Sequence, residues 1–413
     1  MKISGAQVFD PASSIVGEVR DIHISGGLVS DAPCGGETLD ATGCVVMAGW
    51  IDMHAHPLAV SRLFALTGAG ELAEWGDFGA IAREYLSLGI TFFVEAGLGA
   101  DEAEDAGWKC AGGKIGYGLL RLANGGGVED DSGFIGRKFI GEKGVEDFLR
   151  HPPGANTSHV HLPHLAKGDS LSILKSFLEK LSGRRCHLSH LSHYAFESRG
   201  GRLLPAGRKA AKALAAHPNV TFDCGPVVFG PALTFTVDDE LAGRVSKSGG
   251  GPLVRHEKSR FAASPYMFRK ESYVDSLLWL NAMEMLLSAE DIRQFALAID
   301  FPSGGAISGY PFIVACLMDS QKRNRFMETI NQEAVVASAL GSIGREFSLS
   351  EIVEITRTAP ARICGLPQRG GLMPGSVADI VVYEKSADIE RMVANPRYVI
   401  LGGEVIIERG IWK

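Results

Sequence analysis

Twelve histidines are spread unevenly along this 413-residue chain, and eight of them fall in three short clusters. The first cluster closes the apolar run GWIDMHAHP as His54-Ala55-His56. Residues i and i+2 of an extended chain point the same way, so both imidazoles can reach one metal ion. The bland alternative is a pair of ordinary polar surface residues, because His-x-His also arises without a metal. Two further clusters end apolar runs as well: SHVHLPH, with His159, His161 and His164, and HLSHLSHY, with His187, His190 and His193. Metal-bound imidazoles need carboxylate or carbonyl partners of their own. One ligand is therefore expected per cluster, His161 and His190, with the remaining four at most supporting groups. Asp300 closes FALAID just ahead of Phe-Pro-Ser-Gly-Gly. Its bland role is a turn or helix-cap aspartate. Its chemical role is to ligate a metal and take a proton while water attacks a carbonyl, and that is the reading adopted.

Side chains so distant in sequence need a scaffold that gathers strand ends. Short apolar runs (TFFVEA, HVHL, CHLSHL, VTFDC, FALAID) alternate with helical stretches such as SILKSFLEKL, GRKAAKALAAH and VDSLLWLNAMEMLL. This alternation implies βα units. With about eight such strands, a (β/α)8 barrel of the TIM type is expected over residues 49–368, with its site where the strands end. Residues 1–48 read as a β meander, and residues 369–413 repeat its style in ADIVVYE and RYVILGGEVIIERG. The two ends are expected to form one small β-sandwich domain. A last helix should open at Ser348 in a capping box with Glu351 and stop near Gly365.

Composition narrows the class of function. Hydrophobic residues make up 46%, charged residues 22%, and there are 51 glycines, which describes a globular chain rich in tight turns. A net charge of −7 provides no basic field for nucleic acid. The seven cysteines are scattered and contain no Cys-x-x-Cys pair, which argues for reduced thiols rather than a disulfide framework or zinc knuckle. The start acquires Asp and Glu too early for a signal peptide, and no apolar run reaches the ~18 residues of a membrane span. A cytoplasmic protein with small-molecule or protein partners is expected.

His54, His56, His161, His190 and Asp300 together resemble the ligand set of the amidohydrolase superfamily. The resemblance extends end to end to the family formed by the A-type subunits of formylmethanofuran dehydrogenases and the hydrolase subunits of bacterial formyltransferase/hydrolase complexes. It is carried by EVRDIHI, ATGCVVMAGWIDMHAHP, YGLLRLANGGGVE, SHVHLPHL, HLSHLSHY, HPNVTFDCGPVVFG, AIDFPSGGAISGYP, LSEIVEITRTAPARICGL and GLMPGSVADIVVYE. It implies zinc-dependent cleavage of the N-formyl group of a methanofuran- or methylofuran-type coenzyme, giving formate and the free amine. It also implies partner subunits in a one-carbon complex, with Asp300 as ligand and proton acceptor and Asn124 and His193 as substrate-binding or supporting groups.

The chain departs from that family at three points. The bridging carboxylated lysine expected on the fourth strand is not found before Asn124-Gly125-Gly126-Gly127-Val128-Glu129, where the matching position is Arg121. A guanidinium cannot be carboxylated. Either a displaced lysine such as Lys114 or Lys138 serves, or a single ion binds. The segment between the second and fifth strands is short, and Phe301 and Ser303 stand where the family has histidine and asparagine. These departures keep two alternatives open: an amidohydrolase of another, cyclic amide, and a scaffold subunit without turnover.

Overall fold

The computed structural model describes residues 1–61, 74–98, 114–123, 131–150, 157–163, 168–236, 243, 247, 254–255 and 262–413. Eight parallel strands form one sheet: Trp50–Ala55, Ile90–Leu98, Gly116–Leu122, Gly136–Ile140, Thr157–His161, Cys186–Leu188, Val220–Asp223 and Phe295–Ala296. Each pairs with the next in chain order. The sheet rolls shut where Ala55 bridges Phe301 in parallel and His56 N–H donates to the Phe301 carbonyl at 2.7 Å. This is a (β/α)8 barrel, with outer helices that include Phe78–Ser87, Ser170–Lys180, Gly207–Ala215 and Tyr273–Ser288.

A nine-stranded sheet joins both ends of the chain. Its central contact is Cys44–Ala48 lying antiparallel to Ile380–Glu384. These strands are buried on both faces, and their alternation shows why. Val45, Met47, Val381 and Tyr383 pack into the barrel's core, while Cys44, Val46, Ala48, Ile380 and Val382 fill the sheet's own core. Period-two side-chain direction thus lets one sheet close two hydrophobic interiors.

The helix opening at Ser348 has the expected capping box, with Ser348 Oγ accepting from Glu351 N–H and Glu351 accepting from Ser348 N–H. It then widens into a π turn over Glu354–Thr358 before Ala359–Ile363. Within it the Ile355 carbonyl accepts from Leu297 N–H at 2.9 Å, tying the helix to the eighth strand. Arg357 is buried at this turn, donating through Nε to the Ala48 carbonyl at 2.9 Å and lying over the Trp50 ring at 5.3 Å. An antiparallel sheet of Gly230–Thr236, Val254–Arg255 and Ala262–Phe268 stands between the seventh and eighth strands, a feature the βα alternation did not indicate.

Candidate metal centre

The first strand carries His54 near its end and is followed at once by His56; both rings are buried. The eighth strand is only two residues long, and the chain continues irregularly to Asp300. Asp300 takes the left-handed backbone region (φ 59°), as does His190 just beyond the sixth strand (φ 39°). Two neighbouring glycines make room. A Cβ on Gly225 would sit 2.6 Å from His190 Cβ, and one on Gly304 only 1.8 Å from the Ile299 carbonyl oxygen beside Asp300.

These turns bring the predicted residues to one rim. Ligand atoms of His54, His56 and Asp300 all lie within 4.8 Å of one another. Asp300 Oδ1 is 3.5 Å from His54 Nε2 and 3.3 Å from His56 Nε2, while its Oδ2 faces His190 Nδ1 at 3.2 Å. The His190 ring stands 4.8 Å from that of His54 and 4.4 Å from that of His161, measured between ring centres. His193 sits one 3-10 turn further on, its Nδ1 3.3 Å from the His190 carbonyl, and burial pushes it down to about 4. His159 and His187 lie deeper in the barrel. Asn124 and His164 fall outside the described residues.

Arg121 and the two candidate lysines fall in different surroundings. Arg121 belongs to the third strand, with its guanidinium 3.8 Å from Asp131 and over the Phe134 ring. Lys114 is exposed ahead of that strand. The fourth strand carries Lys138, wholly buried, with Nζ 2.9 Å from His54 Nε2 and 2.7 Å from Ser189 Oγ. Burial lowers this amine to about 8, against the pull of Asp300 and Asp223. Arg121 and the glycine-rich block after it belong to the third strand and its exit, not to the fourth strand. Phe301 and Ser303 have structural duties here. Phe301 packs edge-on against Trp75 at 5.1 Å, and Ser303 Oγ accepts from Phe235 N–H at 3.3 Å.

Two carboxylates were missed. Asp223 ends the seventh strand and Glu95 lies near the end of the second; both are fully buried. VTFDC and TFFVEA are apolar runs closed by a carboxylate, the same signal that pointed to Asp300 in FALAID.

The donor set fits a divalent cation. Among the described residues, His190 Nε2 and Asp300 Oδ1 are buried without a hydrogen-bond partner, and each such atom costs about 1–3 kcal/mol unless something satisfies it. Burial holds His161 and His190 well below the usual imidazole value, leaving neutral rings with free lone pairs. Burial would lower His56 too, but the carboxylates of Asp300 and Glu95 outweigh it and carry the ring up to about 9. The pocket thus demands positive charge beside these carboxylates, which a proton or a bound cation can supply. Phe235 lies 5.1 Å from the His56 ring and forms an apolar wall.

Residues 276–407 match the Amidohydrolase family. Nearly the whole chain, 99%, aligns with the FhcA polypeptide of the formyltransferase/hydrolase complex of Methylorubrum extorquens at 28% identity, covering 88% of that protein. Protein FwdA of Methanocaldococcus jannaschii aligns at 23% identity over 99% of this chain and 88% of its own length. The crystal structure of the FhcABCD complex of M. extorquens with methylofuran contains a chain that superposes with a TM-score of 0.87 at 27% identity, covering 100% of this chain and 89% of that one. In its partial family match, its barrel and its likeness over the full length to FhcA, this chain is similar to members of the amidohydrolase superfamily.

Proposed function

We propose that this chain is the hydrolase subunit of a formyltransferase/hydrolase-type complex, cleaving the N-formyl amide of a methylofuran- or methanofuran-type coenzyme to formate and free amine. The observation that carries this reading is its full-length likeness, at a TM-score of 0.87, to a chain of the complex crystallised with methylofuran. The rim of the barrel supplies the matching chemistry. His54, His56, His161, His190 and Asp300 would hold one or two zinc ions, with Asp300 the ligand facing the histidine pair. Lys138 stands on the fourth strand, where the resemblance places a carboxylated lysine. Its amine nitrogen would add carbon dioxide, losing one proton to solvent, to give a carboxylate that would join the histidines and Asp300 in holding the metal. When bound, zinc would polarise the formyl carbonyl and acidify an attacking water.

The chain's own groups do the rest. His190 Nδ1, 3.2 Å from Asp300 Oδ2, orients this carboxylate so that Oδ1 stays turned toward the histidine pair. Asp300 takes a proton from water as oxygen attacks the formyl carbon, then returns it to the leaving amine nitrogen as the C–N bond breaks. Partner subunits are part of the proposal, by analogy with the four-subunit relative.

The test assays the purified protein, with any subunits that co-purify, against an N-formyl furfurylamine coenzyme and against cyclic amides. Formate release from the first alone is expected, falling by about 10²–10⁴ in Asp300→Asn, the range for a lost general acid–base group. Turnover of cyclic amides alone would redirect the substrate assignment. Metal-free protein inert to every amide would make it a scaffold.

A further inference from the structure

Two buried carboxylates outside the proposed ligand set, Asp223 and Glu95, face the backs of the His54–His56 pair. Asp223 Oδ2 lies 2.9 Å from His54 Nδ1 and 3.1 Å from His187 Nε2, and its Oδ1 accepts from His190 N–H at 2.7 Å. Glu95 Oε2 accepts from the Leu58 backbone N–H at 2.8 Å. Glu95 Oε1 faces His56 Nδ1 at 3.4 Å, an ion-pair separation, and among the described residues neither atom has another partner. On the far side of both rings, Nε2 faces the same atom, Asp300 Oδ1.

An ionised carboxylate can only accept, so an imidazole nitrogen turned toward it carries the proton. In a ring with one proton, the opposite nitrogen is then bare. A separate contact agrees for His54: Lys138 Nζ, a donor, approaches its Nε2 at 2.9 Å. We infer that Asp223 and Glu95 are positioning residues that hold His54 and His56 as Nδ1–H tautomers, aiming both Nε2 lone pairs at the point beside Asp300 Oδ1. The inference rests on the metal-centre reading proposed above.

Isosteric variants distinguish this role from simple packing. In Glu95→Gln, the Leu58 N–H captures the amide oxygen, so the amide NH₂ faces His56 Nδ1. That nitrogen must now accept, and the proton moves to Nε2, the atom needed for the metal. In Asp223→Asn, one amide oxygen cannot serve three donors that approach from two sides. Zinc affinity, measured by chelator competition, is expected to fall by about 10- to 100-fold in each variant, the range for lost ligand orientation. The thermal midpoint of metal-free Glu95→Gln should match wild type. Long-range ¹H–¹⁵N spectra of zinc-loaded wild type, labelled at histidine, should show the ring proton on Nδ1 of both His54 and His56. A proton on Nε2 of His56, or zinc bound as tightly by Glu95→Gln as by wild type, overturns the inference alone. A wild-type chain that takes up no zinc overturns the metal-centre reading and this inference with it.

Discussion

Left-handed backbone at a non-glycine residue costs about 1–3 kcal/mol, and two residues at the rim, His190 and Asp300, adopt it. Both are held there by neighbours: Asp223 accepts from His190 N–H, and Gly304 N–H donates to the Asp300 carbonyl at 2.9 Å. Gly225 has a positive φ of its own and leaves no room for a methyl beside His190. Gly225→Ala should therefore displace His190 and destabilise the fold by about 1–2 kcal/mol, with reduced zinc affinity. Urea unfolding and zinc titration together check this, and a variant equal to wild type in both would show that the glycine is not needed. His54→Ala should abolish zinc uptake while circular dichroism stays native, because His187 remains as a partner for the buried Asp223 carboxylate. Unchanged metal content would remove His54 from the site. His54 and His56 were legible because period two on a strand fixes their common direction. Asp223 and Glu95 were not, since a carboxylate closing an apolar run looks the same whether it caps a turn or orients a ligand. Lys138 was obscured differently: in GRKFI nothing but strand register distinguishes the inward lysine from half-exposed Arg137 beside it.

Elements of the barrel were read from alternating apolar and helical stretches, and the long ones emerged close to expectation. Tyr273–Ser288 covers VDSLLWLNAMEMLL, and Ser170–Lys180 covers most of SILKSFLEKL. The eighth strand was the exception. FALAID reads as a six-residue strand, yet only Phe295–Ala296 pair, because Leu297 N–H is taken by the π turn's Ile355 carbonyl. No local pattern encodes that bond. The same turn buries Arg357, whose Nε holds the Ala48 carbonyl and whose other nitrogens reach Thr356 Oγ1 and Tyr383 Oη. Arg357→Met should lose about 1.5–3 kcal/mol, the range for a hydrogen bond to a charged group. Denaturant midpoints would register the loss, and a midpoint as high as wild type would show that packing alone secures the junction.

At the scale of the molecule, the terminal sheet is part of the barrel's closure. Val381, Tyr383, Val399 and Ile407 come from the last part of the chain and pack in the same core as Trp50 and Phe93. Deleting residues 369–413 should leave aggregated protein rather than a free-standing barrel, as size-exclusion chromatography would reveal; a soluble, folded product would contradict this. Bound zinc should also stabilise by mass action, about 2.7 kcal/mol at a hundredfold excess over its dissociation constant. Adding a chelator to the holo protein should lower its thermal midpoint accordingly, and an unmoved midpoint would count against a resident ion. Among the described residues no helix is long and apolar enough to cross a membrane.

The seam where Ala55 meets Phe301 lies between the strands bearing the histidine pair and Asp300. The proposed ligands therefore straddle the joint that closes the ring of eight strands. A nascent chain that stops short of Asp300 presents imidazoles without their carboxylate, and nothing holds them across an open gap. Cation capture would thereby await the closing of that ring, and an ion seated there would act as a rivet across the joint whose sealing created its socket.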